Sequence, residues 1–505
     1  MGSLHETNRS LWVQTTPTTA YPTLTETIKC DVAVIGAGIT GLTTAWLLAS
    51  EGASVVVLES DRICSGVTGS TTGKITSLHG LTYAHLLKGF GQEKTQMYAD
   101  ANESAIAKIR GIVAKGAIEC GLRNESAYTY CETEEMLGRV EEEVEAAQKL
   151  GLKASFTKET DLPFPILGAV RFLDQALFHP RQYCIGLAKM IVDRGGLIFE
   201  NSRALDISGS SLVQVKTNNA VVEADHVVIA TLLPFHDHGL FFARSGPRRS
   251  YAMAVKLEGD APEGMYLSAE KPIRSLRRHP QMGNDLMIVG GEGHRTGQDP
   301  DTRARYEAIE TWAKARFPVA SIEHKWSAQD YVTADGVPFV GPTGPFGSRV
   351  LVATGFKKWG MTNGTAAAII LADSINGRSN PWAPMFSSMR LTVKPGLGRL
   401  VEQNANVASR YFSDHLGRLT APDAAVLKPG DGGIVSLQGN KVAAYRHDDG
   451  TLEAVSAVCT HLACVVKFNA AEKTWDCPCH GSRFDLHGKV INGPATRDLS
   501  KHETI

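Results

Sequence analysis

The sequence predicts a three-part chain: a doubly wound α/β unit at the front, a strand-rich stretch suited to an antiparallel sheet, and a small all-β unit at the C-terminus. Three observations predict it. A β-α-β run opens at Asp31, strands dominate from Arg171 to Ala353, and from Asp423 onward short strand-like pieces alternate with glycine turns. A chain of 505 residues that is 43% hydrophobic has room for about two to four such units.

Residues 1–29 are polar and Thr-rich, with neither the apolar core of a secretory signal nor the Arg-rich pattern of a transit peptide, and are read as an N-terminal extension. Asp31 to Ile35 is a β-branched run, Gly36 to Gly41 a glycine turn, the stretch to Leu48 an apolar helix, and Ser54 to Leu58 a second strand ending on Glu59. Helical patterns run from about Glu93 to Cys120 and from Glu134 to Leu150, the latter with an acidic start and Gly151 after its end. Strands return at Arg171 and Phe172, Leu197 to Glu200, Leu212 to Lys216 and His226 to Ala230, with a helix from Pro180 to Arg194. Tyr251 to Leu257, Met265 to Leu267 and Leu286 to Val289 continue the pattern. A helix from Pro300 to Phe317 follows, and Gly360 opens another that runs to about Ile375. Pro381, Pro384 and Pro395, with little periodicity around them, mark residues 381–404 as a linker, and 405–505 as the C-terminal unit.

The 52 basic and 53 acidic residues leave a net charge of −1, so no global field draws the chain onto nucleic acid or an anionic membrane. The best apolar run, Ala366 to Leu371, falls far short of the ~18 residues that span a bilayer. A cytoplasmic protein without membrane insertion is expected. Cys30, Cys64, Cys120, Cys131 and Cys184 are scattered, whereas Cys459, Cys464, Cys477 and Cys479 crowd into one window that demands a chemical explanation.

Gly36-x-Gly38-x-x-Gly41 lies between a strand and a helix, and Glu59 stands about 20 residues further on. The glycines let the backbone turn tightly and approach a pyrophosphate at the helix N-terminus, while Glu59 accepts from a ribose hydroxyl. This spacing points to a dinucleotide and leaves FAD and NAD open.

Beyond the fingerprint, the chain resembles the glycine oxidase, sarcosine oxidase and D-amino-acid oxidase superfamily of flavoproteins over about Asp31 to Gly377. The likeness is carried by the opening Gly36 to Leu42, the Ser/Thr/Gly loop Ser65 to Gly73, the strand Ala224 to Thr231, and the closing pair Asp335 to Gly341 and Ala353 to Asn363. The resemblance implies FAD, held by Gly36, Gly38, Gly41, Glu59, Arg62, Thr71, Thr72, Gly355, Gly360, Met361 and Thr362. Amides at 360–362 would stabilise negative charge on the reduced ring. It also implies a D-amino-acid-oxidase-like fold over 30–380: an α/β FAD-binding Rossmann-like domain in parts about 30–105, 170–235 and 325–380, interleaved with an α+β substrate domain in parts about 106–169 and 236–324. No second glycine fingerprint follows, which argues against a built-in NAD(P)H site.

The substrate side departs from the pattern. Amino-acid oxidases of the superfamily carry an Arg shortly before Thr-x-Asp-Gly, but Thr333-Ala-Asp335-Gly336 is preceded by Gln329-Asp330-Tyr331. Asp330 would repel a carboxylate and attract an amine cation, or serve as a turn acid without a ligand. The catalytic expectations are Asp330 together with Tyr251, His294 and Arg277 from the sheet expected to roof the flavin, with Arg274 a further cation there. A structural role stays open for each.

Cys459-Thr-His461 and Cys477-Pro-Cys479-His480 supply two Cys and two His, the donor set of a Rieske [2Fe–2S] centre; tetrahedral zinc is the competing reading. The string resembles the Rieske subunit of respiratory cytochrome bc complexes over Val458 to Pro494. That resemblance implies Cys459, His461, Cys477 and His480 as ligands, a Cys464–Cys479 disulfide bracing the loops, and Ser482 hydrogen-bonded to a cluster sulfur. Phe484 stands where the bc proteins have Tyr, so a lower reduction potential is expected. The Rieske oxygenases pair this cluster with an iron held by two His and a carboxylate, and no such triad follows it here.

The expected function is an FAD- and [2Fe–2S]-dependent oxidoreductase, of dehydrogenase or oxidase type. A small amine or related C–H or C–N donor reduces the flavin by hydride transfer, and the all-β Rieske domain relays electrons to an external one-electron protein. Two alternatives stand beside it: reverse flow, with a reductase loading the cluster so that the flavin serves monooxygenation or substrate reduction, and an electron-transfer protein without its own substrate.

Overall fold

Val32 to Ile35 and Val55 to Leu58 are buried along their whole length, as strands sandwiched between helix layers must be. In the computed structural model they lie side by side in a largely parallel sheet with the order Phe339–Pro342, Val350–Thr354, Val221–Ile229, Ile28–Ile35, Val55–Leu58 and Leu197–Phe199. Only Phe339–Pro342 runs antiparallel on this path. The structure describes residues 9–209, 211–279, 283, 285–344, 349–391 and 394–502. The first eight residues of the expected extension, 392–393 of the expected linker and the last three residues of the C-terminal unit lie outside the described residues.

Helices Ile39–Ser50 and Gly360–Ile375 cover this sheet and cross where a Cβ on Gly364 would stand 2.5 Å from Thr40 Oγ1. That close crossing places two helix N-termini at one site beyond the strand ends, where an open α/β sheet binds its ligand.

A second, mostly antiparallel sheet forms the roof, in the order Val319–Thr333, Ser245–Leu257, Leu286–Arg295, Arg274–Arg278, Met265–Ser268, Arg123–Cys131, Gly168–Leu177 and Lys74–Ile75. Helix Arg303–Arg316 packs on its outer face through Tyr306, Ile309 and Ala313, against Tyr251, Met253 and Val255. Its inner face holds Ala252, Ala254, Ile288 and Trp326.

The expected division of the chain shifts here. Lys74–Ile75, Gly168–Leu177 and all of Val319–Thr333 belong to the roof, although 30–105, 170–235 and 325–380 were read as nucleotide-domain parts. The expected borders at 169/170 and 324/325 therefore cut through strands that belong wholly to the roof.

Two further corrections concern segments read as irregular. Within the extension, Leu11–Gln14 is a short helix whose Leu11 and Trp12 are fully buried on the inner face of the roof. Within 381–404, the chain is helical again from Lys394, in a helix that runs to Leu419.

The C-terminal unit packs two small antiparallel sheets, Gly432–Leu437, Asn440–Arg446, Leu452–Ser456 and Lys501–His502 in one, Lys467–Asn469, Thr474–Asp476, Arg483–Phe484 and Val490–Asn492 in the other. Among the described residues no helix is long and apolar enough to cross a membrane.

Candidate functional site

The nucleotide cradle is built by close backbone approach. Gly36 has φ +106°, and a Cβ there would lie 2.7 Å from the Ala230 carbonyl oxygen; one on Gly41 would lie 1.9 Å from the Gly36 carbonyl oxygen. Only glycine permits this approach, which leaves the N-terminus of helix Ile39–Ser50 open to an anion. At Gly38 a Cβ would press on Thr68 Oγ1 at 3.0 Å, so the loop after Glu59 folds back over the turn. Glu59 accepts from the Ala37 amide at 2.8 Å and the Asp61 amide at 3.0 Å, and burial raises its carboxyl pKa. Arg62 donates to Glu200 at 2.9 Å and to the Thr19 carbonyl at 3.0 Å, tying the N-terminal segment to the cradle.

The loop then passes under the roof. The Thr71 carbonyl accepts from Trp12 Nε1 at 2.6 Å and the Ser70 carbonyl from Trp326 Nε1 at 2.9 Å, while the Thr72 methyl faces Gly290. Ala252 and Ser275 present small side chains on this face and Gly290 none, and Gly355 packs on Thr333 with φ +79°. Trp359 precedes helix Gly360–Ile375, whose first amides at Gly360, Met361 and Thr362 have no acceptor within the helix. His79 stacks on Trp359 with ring centroids 4.8 Å apart, and its Nε2 lies 3.0 Å from Thr362 Oγ1. Burial lowers its pKa to about 3, so the ring is neutral. A glycine cradle, two helix N-termini and a small-residue roof fit a flavin dinucleotide.

The roof separates the catalytic candidates. Arg277 is on the inner face and donates to the Gly73 carbonyl at 2.7 Å; its Nε and Nη2 have no partner among the described residues, and burial lowers its pKa to about 9. Lys74 lies beside it, donating to the Tyr266 carbonyl and to Ser275 Oγ. Tyr251 and His294 lie elsewhere than expected: their rings stack with Tyr251 Oη 3.0 Å from His294 Nε2, and Tyr251 belongs to the outer core with Tyr306. The two-residue alternation of a strand sends Tyr251 outward and Ser250 and Ala252 inward. Arg274 also faces outward, paired with Glu292 at 2.7 Å. Asp330 is buried, and its carboxylate accepts from its neighbour's amide, Tyr331 N, at 2.7 Å and from the Lys358 amide. Burial pushes its pKa up to about 6.

Lys358 donates to Ser250 Oγ from the opposite side of the same space. Crowding by the surrounding protein lowers its pKa to about 8 although the side chain is open to that space, with Asp330 opposing and Arg248 adding to the shift. Arg248 stands in register with Asp330 and forms no ion pair among the described residues. With Arg295 and Gln298 it lines a cavity of about 300 Å³ at the border of the C-terminal unit.

In that unit, Cys459 and Cys477 are buried and free, whereas Cys464 and Cys479 are joined, with Cα atoms 6.5 Å apart. The His461 and His480 rings lie 5.2 Å apart at 85°, and the Nδ1 atoms of both are buried without a hydrogen-bond partner. Burial lowers their pKa values to about 4 and about 3, which keeps a lone pair on each ring. Hydrogen bonds from Cys477, the His461 and Leu462 amides and Ser482 bring Cys459 down to about 7 against the effect of burial. Two buried, unpaired cysteines and two neutral imidazoles with orphaned nitrogens fit a two-iron cluster. Phe484 is fully buried in the same core.

The cluster loops press against the oxidoreductase. Tyr331 Oη donates to the His480 carbonyl at 2.6 Å, Gln329 Nε2 to the Gly481 carbonyl at 2.7 Å, and Phe242 meets the His480 ring edge-on at 5.0 Å. Arg249 pairs with Glu472 at 2.7 Å and Tyr306 Oη donates to Glu472 at 3.0 Å. Sequence reasoning missed Trp12, Lys74, His79, Lys357, Lys358 and Tyr331. The Lys357-Lys358 pair directly before Trp359-Gly360 was the available signal; Trp12 had none.

A family described as FAD dependent oxidoreductase matches residues 31–374, and one described as Rieske [2Fe-2S] domain matches residues 419–503. A protein of Bacillus subtilis (strain 168) named "Putative Rieske 2Fe-2S iron-sulfur protein YhfW" is 38% identical over 500 residues, 98% of each chain. Gamma-glutamylputrescine oxidoreductase of Escherichia coli (strain K12) is 28% identical over 414 residues, 79% of this chain and 96% of that one. The solved structure of glycine oxidase from Geobacillus kaustophilus matches with a TM-score of 0.61 at 17% identity, over 72% of this chain and 99% of that one, a likeness of fold.

Proposed function

This chain belongs to the FAD dependent oxidoreductase family and carries a Rieske [2Fe-2S] domain, and from that premise we propose that it is a dehydrogenase that oxidises a small amine or related C–H donor and relays the electrons through its cluster. The observation that carries this reading is a shared wall. Strand Val319–Thr333 meets the cluster loop through Gln329 and Tyr331, and meets the turn before Gly360 through Asp330 and the Tyr331 carbonyl.

The flavin supplies a hydride acceptor and the cluster a one-electron carrier. The chain's own groups do the rest. Lys358, which reaches Ser250, and Arg248, in register with Asp330, bring two cations to this edge of the roof, which suits a donor that carries an anionic group beside the C–H bond to be broken. Asp330 holds the Lys358 amide and so fixes the turn that leads into helix Gly360–Ile375. His79, neutral and stacked on Trp359, positions Thr362 at the helix start. The docked cluster loop accounts for the fusion, since passing electrons straight to oxygen requires no second cofactor.

Anaerobic stopped-flow absorbance of the holoprotein against a panel of small amines and amino acids tests the reading. A donor that bleaches the flavin first and the Rieske bands second supports it. A cluster that fills before the flavin from reduced ferredoxin, with no organic donor effective, overturns it.

A further inference from the structure

We infer that Tyr331 is the bridge by which electrons cross between the two cofactor sites, an assignment that rests on the relay proposed above but holds for either direction of flow. Tyr331 is fully buried at the seam of the two units. On one side its carbonyl accepts from the Lys357 amide at 3.0 Å, in the turn that leads through Trp359 to Gly360. On the other, its hydroxyl donates at 2.6 Å to the carbonyl of His480, one of the two histidines with an orphaned Nδ1. Two hydrogen bonds and one side chain therefore join the flavin-side turn to a cluster ligand, with no gap to cross through space.

The packing around this contact is tight. Gly481 has φ +75°, and a Cβ there would lie 2.8 Å from Tyr331 Oη, 2.7 Å from Gln329 Nε2 and 2.6 Å from Pro247 Cβ. Gln329 also reaches the loop, but through the Gly481 carbonyl. Phe242 touches the His480 ring by contact alone. Tyr331 is the residue that hydrogen-bonds on both sides.

With both cofactors bound, each passage would move one electron from the flavin to a ferric ion of the cluster, and the one proton that arrived with the hydride would leave to solvent over the two passages. An external one-electron carrier protein then reoxidises the cluster, and a second passage completes the pair delivered by the donor. The bonds of Tyr331 itself are unchanged.

The test is transient absorbance of the anaerobic holoprotein after photoreduction of its flavin, with the Rieske EPR spectrum and both midpoint potentials recorded for each variant. Tyr331→Phe is expected to slow flavin-to-cluster transfer about tenfold, the equivalent of one buried hydrogen bond, and Tyr331→Leu to slow it further. Potentials and EPR spectrum stay unchanged. Gly481→Ala, which pushes the loop off the hydroxyl, slows the transfer independently of any change at Tyr331. Tyr306→Phe, which removes a docking bond to Glu472 elsewhere on the seam, leaves the rate unchanged; equal slowing there would reduce Tyr331 to an ordinary docking contact. The bridge is overturned if wild-type protein passes electrons and both Tyr331 variants pass them at the same rate, or if Phe242→Leu alone slows the transfer. Wild-type protein that never passes electrons between its cofactors sinks the relay itself, a different outcome.

Discussion

Glu472 is the residue whose loss should open the molecule at its seam. Its carboxylate pairs with Arg249 at 2.7 Å and Arg483 at 3.4 Å and accepts from Tyr306 Oη at 3.0 Å; Arg483 in turn pairs with Asp476 at 2.9 Å. Arg249 is 1% exposed and Glu472 9%, so two cations and two carboxylates balance in a site closed to water. Although burial works against it, Arg249 and Arg483 hold the Glu472 carboxyl below the usual range. Glu472→Ala strands Arg249, whose Nε and Nη1 already lack partners. Removing one member of a buried pair costs about 3–5 kcal/mol, so the ratio of docked to open molecules should fall by a factor of about 10² or more. The double variant Arg249→Met/Glu472→Leu removes both charges, leaves Arg483 with Asp476, and should recover most of the loss. The assay is a urea titration followed separately at the flavin and Rieske visible circular dichroism bands, with small-angle scattering in native buffer to detect opening. Refutation would be a single variant whose Rieske transition does not move, or a double variant no better than the single.

Trp12→Ala deletes a fully buried indole that also donates to the Thr71 carbonyl, and should cost about 3–5 kcal/mol and weaken FAD retention, read as melting temperature and flavin content. Cys477→Ser should abolish the Rieske EPR signal and bound iron while the flavin spectrum persists. Phe484→Tyr returns a hydroxyl donor to the cluster core and should raise the cluster midpoint potential by on the order of 50 mV in a redox titration. Asp330 carries a carboxyl raised to about 6 by burial, so the folded protein holds that proton more tightly than the unfolded chain; its contribution is full below pH about 4 and is lost as pH rises through about 6. Asp330→Asn should therefore flatten the stability curve between those values, measured as urea midpoints across the range.

The parts of the site that a local pattern can encode were legible in the sequence. The glycine fingerprint with Glu59 and the Cys-x-His and Cys-x-x-His strings are each set by backbone geometry or ligand spacing within a few residues, and the cradle and cluster core follow them. What was illegible depends on which face of a long strand a residue occupies. Ser250 and Tyr251 are neighbours in sequence, yet one meets Lys358 under the roof and the other meets Tyr306 above it; alternation puts them on opposite faces, but nothing local in the sequence tells which face turns toward the nucleotide site. Arg123–Cys131 begins with polar residues and hides its strand; Lys394–Leu419 carries three glycines and a proline and hides its helix.

Asp330 shows the limit most plainly. At the position where the resembled family holds a substrate-binding Arg, its charge alone suggested an attraction for amine cations. In the fold its carboxylate is consumed by the Tyr331 and Lys358 amides, and the neighbouring cations are Lys358 and Arg248, two residues that sequence analysis had assigned no role. The same three-residue stretch then carries Tyr331 to the cluster ligand. A strand that alternates faces every residue can serve the flavin-side turn with one side chain and the iron–sulfur loop with the next. Gln329, Asp330 and Tyr331 thus join the flavin-side turn to the iron–sulfur loop from a segment whose composition resembles any other strand.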